Sequence, residues 1–252
     1  MLLLLSPHLD DAVFSVSHLL GPDVLVVTIF TKEMPHQYKG DYAAYADMQT
    51  RKLEDAEAMR DIAHEYLNIP DVLFRGKAES NVLPEICKKL NAIRRKYDIN
   101  HVYCPFGIGE HPDHLLTYDA CLAVFPVAMT TFYGEYPYFN LPLNRIVRFR
   151  RLGLNPGVRI TWRDMWSYFT HPIYSSTPWF VRIFRILRAV FSWTSSTNRT
   201  GWGIKHCPAR TDKLQRCLAY GSQIRPIFGS ADNLAKELDL FPNEYIITLY
   251  RF

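Results

Sequence analysis

The sequence predicts a doubly wound α/β fold with a mostly parallel sheet, and three observations carry that expectation. Leu2–Leu5 is an unbroken apolar run, as in a strand covered on both faces. A helix-spaced stretch and a second apolar run, Asp23–Phe30, follow it, which makes a β-α-β unit within about 30 residues. Beyond it, apolar runs keep alternating with amphipathic stretches. A chain of 252 residues, 48% hydrophobic and 21% charged, suits one large globular domain or one domain with an insertion.

Taken in order, the first helix has apolar positions at Val13, Val16 and Leu20 and stops at Gly21-Pro22. Residues 31–48 read as loop. Met48–Asn68 is rich in strong helix formers and reads as one long helix. Val72–Phe74 reads as a short strand, Asn81–Tyr97 as an amphipathic helix and His101–Phe106 as a strand. Gly107–His114 is a loop leading into a helix that ends near Val124, and Met129–Tyr138 contains another strand. From about 140 to 205 the pattern degrades. Leu143–Gly153 suits strand or loop, Pro178–Trp193 a helix with Arg182, Arg185 and Arg188 on one face, and 196–203 a loop. Thr211–Gln223 and Ala231–Asn243 read as helices and Glu244–Phe252 as a closing strand. The expectation is a single domain, 1–252, with 140–205 as an insertion or lid.

A net charge of +4 without a dense Lys/Arg block argues against nucleic acid as a partner. No apolar run reaches the length of a membrane span, and "MLLLLS" lacks the basic start and the length of a signal peptide. Five cysteines, an odd number with no CxxC pair, suggest reduced thiols and a cytoplasmic setting.

In a parallel α/β sheet, ligands bind beyond the carboxyl ends of the strands. "SPHLDD" follows the first strand and "GEHPDH" a later one, so His8, Asp10, Asp11, His111, Asp113 and His114 are expected at one sheet edge. Imidazoles and carboxylates ligate zinc or a similar divalent ion, and a dication offsets the repulsion between Asp10 and Asp11. The competing reading is bland. Both aspartates could cap the following helix, and "HPDH" could be a surface loop. The coincidence of both loops at strand ends favours the metal.

The two motifs together resemble the zinc-dependent de-N-acetylases of the PIG-L/LmbE type, which carry H-x-D-D after the first strand and H-x-D-H after a later one. "RKLEDAEAM" (Arg51–Met59), "FYGEYPY" (Phe132–Tyr138) and "LAYGSQ" (Leu218–Gln223) are similar to further elements of that family, in the same order. The resemblance implies a Rossmann-like fold and zinc held by His8, Asp11 and His114. It makes Asp10 the general base. It has His111 stabilise the oxyanion or protonate the leaving amine, Asp113 orient a neighbouring imidazole, and Arg51 reach the substrate. The implied reaction removes an N-acetyl or related N-acyl group from an amino sugar or sugar conjugate. Gly109 and Glu110 stand where some relatives place an oxyanion-binding tyrosine, which leaves Tyr133, Tyr136 and Tyr138 as candidates, with Tyr136 named for substrate binding. The alternative is a carbohydrate or lipid-head-group binder without hydrolysis, disfavoured because a binder has no use for a base beside three ligands.

Two further segments have a functional and a bland reading. Pro178–Trp193 could lie on a membrane surface, but is read first as a core-packed helix with a solvated arginine face. Lys205, His206, Arg210 and Lys213 could hold a phosphate, but are read first as solvated surface. Cys104 lies near the second motif without a paired base, so no nucleophile is expected there.

Overall fold

The two apolar runs at the N-terminus form adjacent interior strands of a seven-stranded sheet. A computed structural model describes residues 1–75, 81–155, 160–174, 177–191 and 200–251. The strands are β1 (Leu2–Ser6), β2 (Val24–Thr28), β3 (Ala63–Tyr66), β4 (His101–Pro105), β5 (Thr130–Tyr133), β6 (Thr200–Pro208) and β7 (Asn243–Arg251). Their order is β3-β2-β1-β4-β5-β7-β6, with β1 to β5 parallel and β7 antiparallel to both neighbours. The doubly wound, mostly parallel expectation holds. Strand order reverses direction between β1 and β4, the place where such sheets open a crevice.

The helices are α1 (Asp11–Val16), α2 (Asp41–Ala46), α3 (Met48–Ala58), α4 (Leu83–Lys96), α5 (Pro112–Val124), α6 (Pro142–Arg151), α7 (Trp162–Thr170), α8 (Trp179–Phe191), α9 (Lys213–Leu218), α10 (Gly221–Phe228) and α11 (Ala231–Leu240). Side chains alternate across β1, so Leu3 and Leu5 join the core with α4 and α5, while Leu4 joins the core with α1, α3 and α10. Burial of both faces explains why β1 and β2 lack polar alternation.

Several sequence expectations need correction. The expected helix Met48–Asn68 ends at Ala58, and Ala63–Tyr66 instead pairs with β2 as an edge strand. Partly exposed, polar edge residues carry little strand signal of their own. Val72–Phe74 is a turn rather than a strand, closed by the Asp71 carboxylate accepting from Leu73 N–H. Leu143–Gly153 is largely helix α6, begun by Pro142 at its first turn. Residues 31–48 include α2, and Thr211–Gln223 is two helices broken near Tyr220. The expected loop 196–203 is strand from Thr200 onward, and 196–199 lie outside the described residues.

Within the expected insertion, Leu141, Leu143, Tyr168, Tyr174 and Ala189 form a separate apolar cluster that holds α6, α7 and α8 together. Arg148 of α6 ties this group to the sheet, its buried Nε donating to the Phe106 carbonyl at 2.6 Å just past β4. Among the described residues no helix is long and apolar enough to cross a membrane.

Candidate active site

The loops after β1 and β4 meet over the crevice, and the first builds its half by local hydrogen bonding. Ser6 Oγ donates to the His8 carbonyl at 2.6 Å and accepts from Ala12 N–H at 3.1 Å, closing the turn into α1. Asp11 Oδ2 accepts from His8 N–H at 2.8 Å. Asp10 occupies the N-cap position of α1 yet makes no capping bond with its side chain, so capping does not account for it. Its Oδ1 faces Arg51 Nη2 at 3.4 Å.

The second loop turns through left-handed conformations at Gly107, Gly109 and Glu110. Gly109 is required on two counts: its φ is +87°, and a Cβ there would stand 2.5 Å from the Tyr138 ring. His111 then caps α5, its Nδ1 accepting from Asp113 N–H at 3.3 Å. That bond leaves the ring proton of neutral His111 on Nε2.

The loops bring the named residues together. One oxygen of Asp11, Oδ2, lies 3.2 Å from His8 Nδ1 and 3.3 Å from His114 Nε2. His8, His111 and His114 also offer nitrogen atoms within 4.8 Å of one another, as His8, Asp71 and Asp113 offer ligand atoms. On its far side His8 Nε2 meets Asp113 Oδ2 at 3.1 Å and Asp71 Oδ2 at 3.5 Å. Arg75 pairs with Asp113, and Arg51 lies 3.8 Å from Asp71, so both carboxylates have a cationic partner. Behind His114, Glu135 Oε1 lies 3.3 Å from Nδ1 while the same carboxylate accepts from Gly107 and Ile108 N–H.

Charge is tightly balanced here. Burial opposes a charged His8, but Asp11 and Asp113 outweigh it and hold the imidazole well above its usual range. Burial likewise opposes a charged His114, and Asp11 and Glu135 raise it to about 9. Burial would raise Asp11, yet His114 and His8 keep it well below the ordinary carboxylate range. Asp113, also pushed up by burial, is drawn down to about 2, chiefly by His8 and with help from Arg75. Burial and the neighbouring Asp11 raise Asp10, against Arg51. Burial, with His8 and His114 beside it, drives His111 well below its usual value, so it is neutral.

These side chains open onto a cavity of about 240 Å³. His8, Asp10, Asp11, His111 and His114 form its floor, and Arg51, Tyr45, Tyr136, Tyr138 and Ile173 stand on its walls. Of the tyrosines considered from sequence, Tyr133 is engaged elsewhere, donating to the Leu5 carbonyl at 2.9 Å. Tyr45, Asp71, Arg75 and Glu135 were not among the residues expected at the site. Glu135 sits inside "FYGEYPY" and was legible there, whereas Asp71 and Arg75 lie in a turn with no motif. The basic cluster near 205–213 is partly internal: Lys213 pairs with Glu244 at 2.8 Å and Arg210 with Asp212 at 2.8 Å. Cys104 is fully buried and burial pushes its thiol well up, as befits a packing residue.

Comparison with known proteins agrees with this architecture. Residues 3–125 match the PIG-L family, described as GlcNAc-PI de-N-acetylase. No curated protein matches by sequence search. The fold is similar to a zinc-inhibited form of teicoplanin deacetylase Orf2, with 19% identity, TM-score 0.65, and coverage of 100% of this chain and 98% of the other. A40926 pseudoaglycone deacetylase Dbv21 is similar at 20% identity and TM-score 0.64, covering 100% and 97%. The N,N'-diacetylchitobiose deacetylase of Pyrococcus horikoshii is similar at 18% identity and TM-score 0.51, covering 99% and 82%. The stretch that matches the PIG-L family model, residues 3–125, carries both metal-type motifs at the sheet edge where the fold opens its crevice.

Proposed function

We propose that this protein is a zinc-dependent hydrolase that removes an N-acetyl or related N-acyl group from an amino sugar or sugar conjugate. The observation that carries the reading is the convergence of His8 Nδ1 and His114 Nε2 on one oxygen of Asp11, with the second carboxylate, Asp10, beside them in the same cavity. The PIG-L match over residues 3–125 supports the reaction class.

The donor set fits zinc. Two imidazoles and a carboxylate make a three-ligand catalytic set. The protons that crowd His8 and His114 against Asp11 are the positive charge that a dication would replace. His8, Asp11 and His114 would hold the metal, because the other face of His8 is taken by Asp113 and Asp71, each with an arginine. Zinc, when bound, supplies Lewis acidity that favours deprotonation of water near neutral pH and polarises a carbonyl.

The remaining chemistry belongs to the chain. Asp10 takes the proton of the attacking water and returns it toward the departing amine. Its raised affinity for protons, from burial and Asp11, suits a base, while Arg51 keeps it oriented. Neutral His111 presents Nε2–H to the oxygen that becomes negative as the amide carbonyl turns tetrahedral. Asp113 fixes the His8 ring and Glu135 the His114 ring. Tyr45, Tyr136 and Tyr138 give an aromatic wall suited to a sugar ring. Ile173 on the same wall supports the view of 140–205 as a segment that shapes the entrance.

The test is acetate release from a panel of N-acetyl sugars by zinc-loaded protein and by Asp10→Ala. The wild type should release acetate, and the variant should lose about 10²–10⁴-fold in kcat while still binding zinc. Protein that takes up no zinc would overturn the reading. Equal turnover by Asp10→Ala would overturn the role of Asp10.

A further inference from the structure

Helix α8 is built inside out. Trp179, Phe180, Ile183, Phe184, Leu187 and Val190 fall on one face by helical spacing, and all six are exposed, Trp179 and Phe184 by 66% each. Two of its three arginines turn the other way, while Arg188 stays half-exposed. Arg182 donates to the carbonyls of Phe169 at 2.6 Å and Thr177 at 2.8 Å, and Arg185 Nη1 lies 3.5 Å from the Tyr168 hydroxyl. The expected core-packed helix with a solvated arginine face is therefore reversed. On α7, which packs beside α8, Trp162 and Trp166 stand one turn apart and are 84% and 69% exposed. Eight exposed large apolar side chains on two neighbouring helices mark an interaction site.

Charge selects the occupant. Residues 142–191 contain nine arginines, no lysine and one acid, Asp164, while the whole chain carries only +4. The rest of the chain is thus net acidic, and two of these arginines, Arg163 next to Trp162 and Arg188 next to Leu187, are exposed beside the apolar stripe. A second copy docked on this stripe would bring two such arginine-rich segments together. An anionic lipid surface instead takes the tryptophans and phenylalanines at the depth of its headgroups and pairs the flanking guanidinium groups with phosphates.

We propose that the α7–α8 face docks in the plane of an anionic lipid membrane, with Trp162, Trp166, Trp179, Phe180, Phe184 and Leu187 entering the headgroup–acyl boundary. Docking needs neither zinc nor turnover, so it stands apart from the hydrolase reading. Ile173, between α7 and α8, lines the candidate cavity, so the docked face adjoins the wall through which a membrane-borne substrate would be met.

The experiment is co-sedimentation of the full chain with phosphatidylcholine vesicles, with and without phosphatidylglycerol, at rising salt. The expected result is binding to the phosphatidylglycerol vesicles that weakens with salt and falls on the order of tenfold or more in the triple variant Trp179→Ser, Phe184→Ser, Leu187→Ser. All three side chains are exposed, so an unchanged thermal midpoint checks that the variant is folded. Quenching of wild-type tryptophan emission by bromine-labelled lipid tests insertion without any variant. Absence of both sedimentation and quenching would overturn the proposal, as would equal binding by the folded triple variant. A dimer in analytical ultracentrifugation that the triple variant dissolves would overturn it in favour of a second copy.

Discussion

Glu135 takes three donors at once: the N–H groups of Gly107 and Ile108, and the ring of His114. It is fully buried, and it links the turn after β4 to a candidate metal ligand. Glu135→Ala removes Oε1, the one oxygen that all three donors share, so the His114 ring loses its partner. The expected outcome is a fall in zinc affinity of about 10–100-fold, read by competition with a chelator. Unchanged affinity would mean that Glu135 supports the loop but not the ligand. Asp10 and Asp11 illustrate the same scale. They are neighbours in sequence with opposite proton affinities, because Asp11 faces two imidazoles and Asp10 faces one guanidinium and a like charge.

At the scale of elements, the site depends on where β5 delivers Glu135. Gly134 immediately precedes it, and a Cβ there would stand 2.2 Å from the Phe139 ring. Phe139 cannot yield easily, since it stacks on Tyr245 of β7 at 4.1 Å between ring centres. Gly134→Ala should therefore cost about 1–3 kcal/mol in urea denaturation, the usual penalty of overpacking. It should also lower zinc affinity, because relief of the clash moves the strand end that carries Glu135. Loss of stability with intact affinity would show that the two are uncoupled. The α3–β3 boundary teaches a different lesson. Helix formers continue past Ala58, but β2 offers an unpaired edge, and pairing there outweighs local propensity.

Across the whole molecule, Glu244 fastens the C-terminal strand to the connection between α1 and β2. Its buried carboxylate accepts from Ser17 N–H at 3.0 Å, His18 N–H at 2.9 Å and Lys213 Nζ at 2.8 Å. Burial would raise its pKa, yet His18 and Lys213 bring it down to about 2 from an ordinary 4.5. The folded value is depressed, so the stabilisation is complete above about pH 4.5 and is lost as the pH falls toward 2. The shift corresponds to about 3 kcal/mol. Thermal midpoints of the wild type and Glu244→Gln should differ most near neutral pH and converge as the pH drops through that window. A gap that stays constant to the lowest pH would show that Glu244 remains protonated or unpaired in the folded chain.

The sequence by itself determined the parallel core and the place of the candidate site. Strands buried on both faces must be continuously apolar, and ligands of such sheets collect beyond strand ends, so "SPHLDD" and "GEHPDH" pointed to one edge before any coordinates. His8, Asp10, Asp11, His111, Asp113, His114 and Arg51 all meet there. Only the tertiary structure decided what local pattern cannot encode. Asp71 and Arg75 acquire their place from a turn that pairs across the chain with His8 and Asp113, and Ala63–Tyr66 becomes strand only because β2 presents an edge. The direction of α8 is the clearest case. Its periodicity fixes two faces, apolar and cationic, but which one meets the protein depends on the carbonyl and hydroxyl groups that α7 and the turn before α8 offer to Arg182 and Arg185.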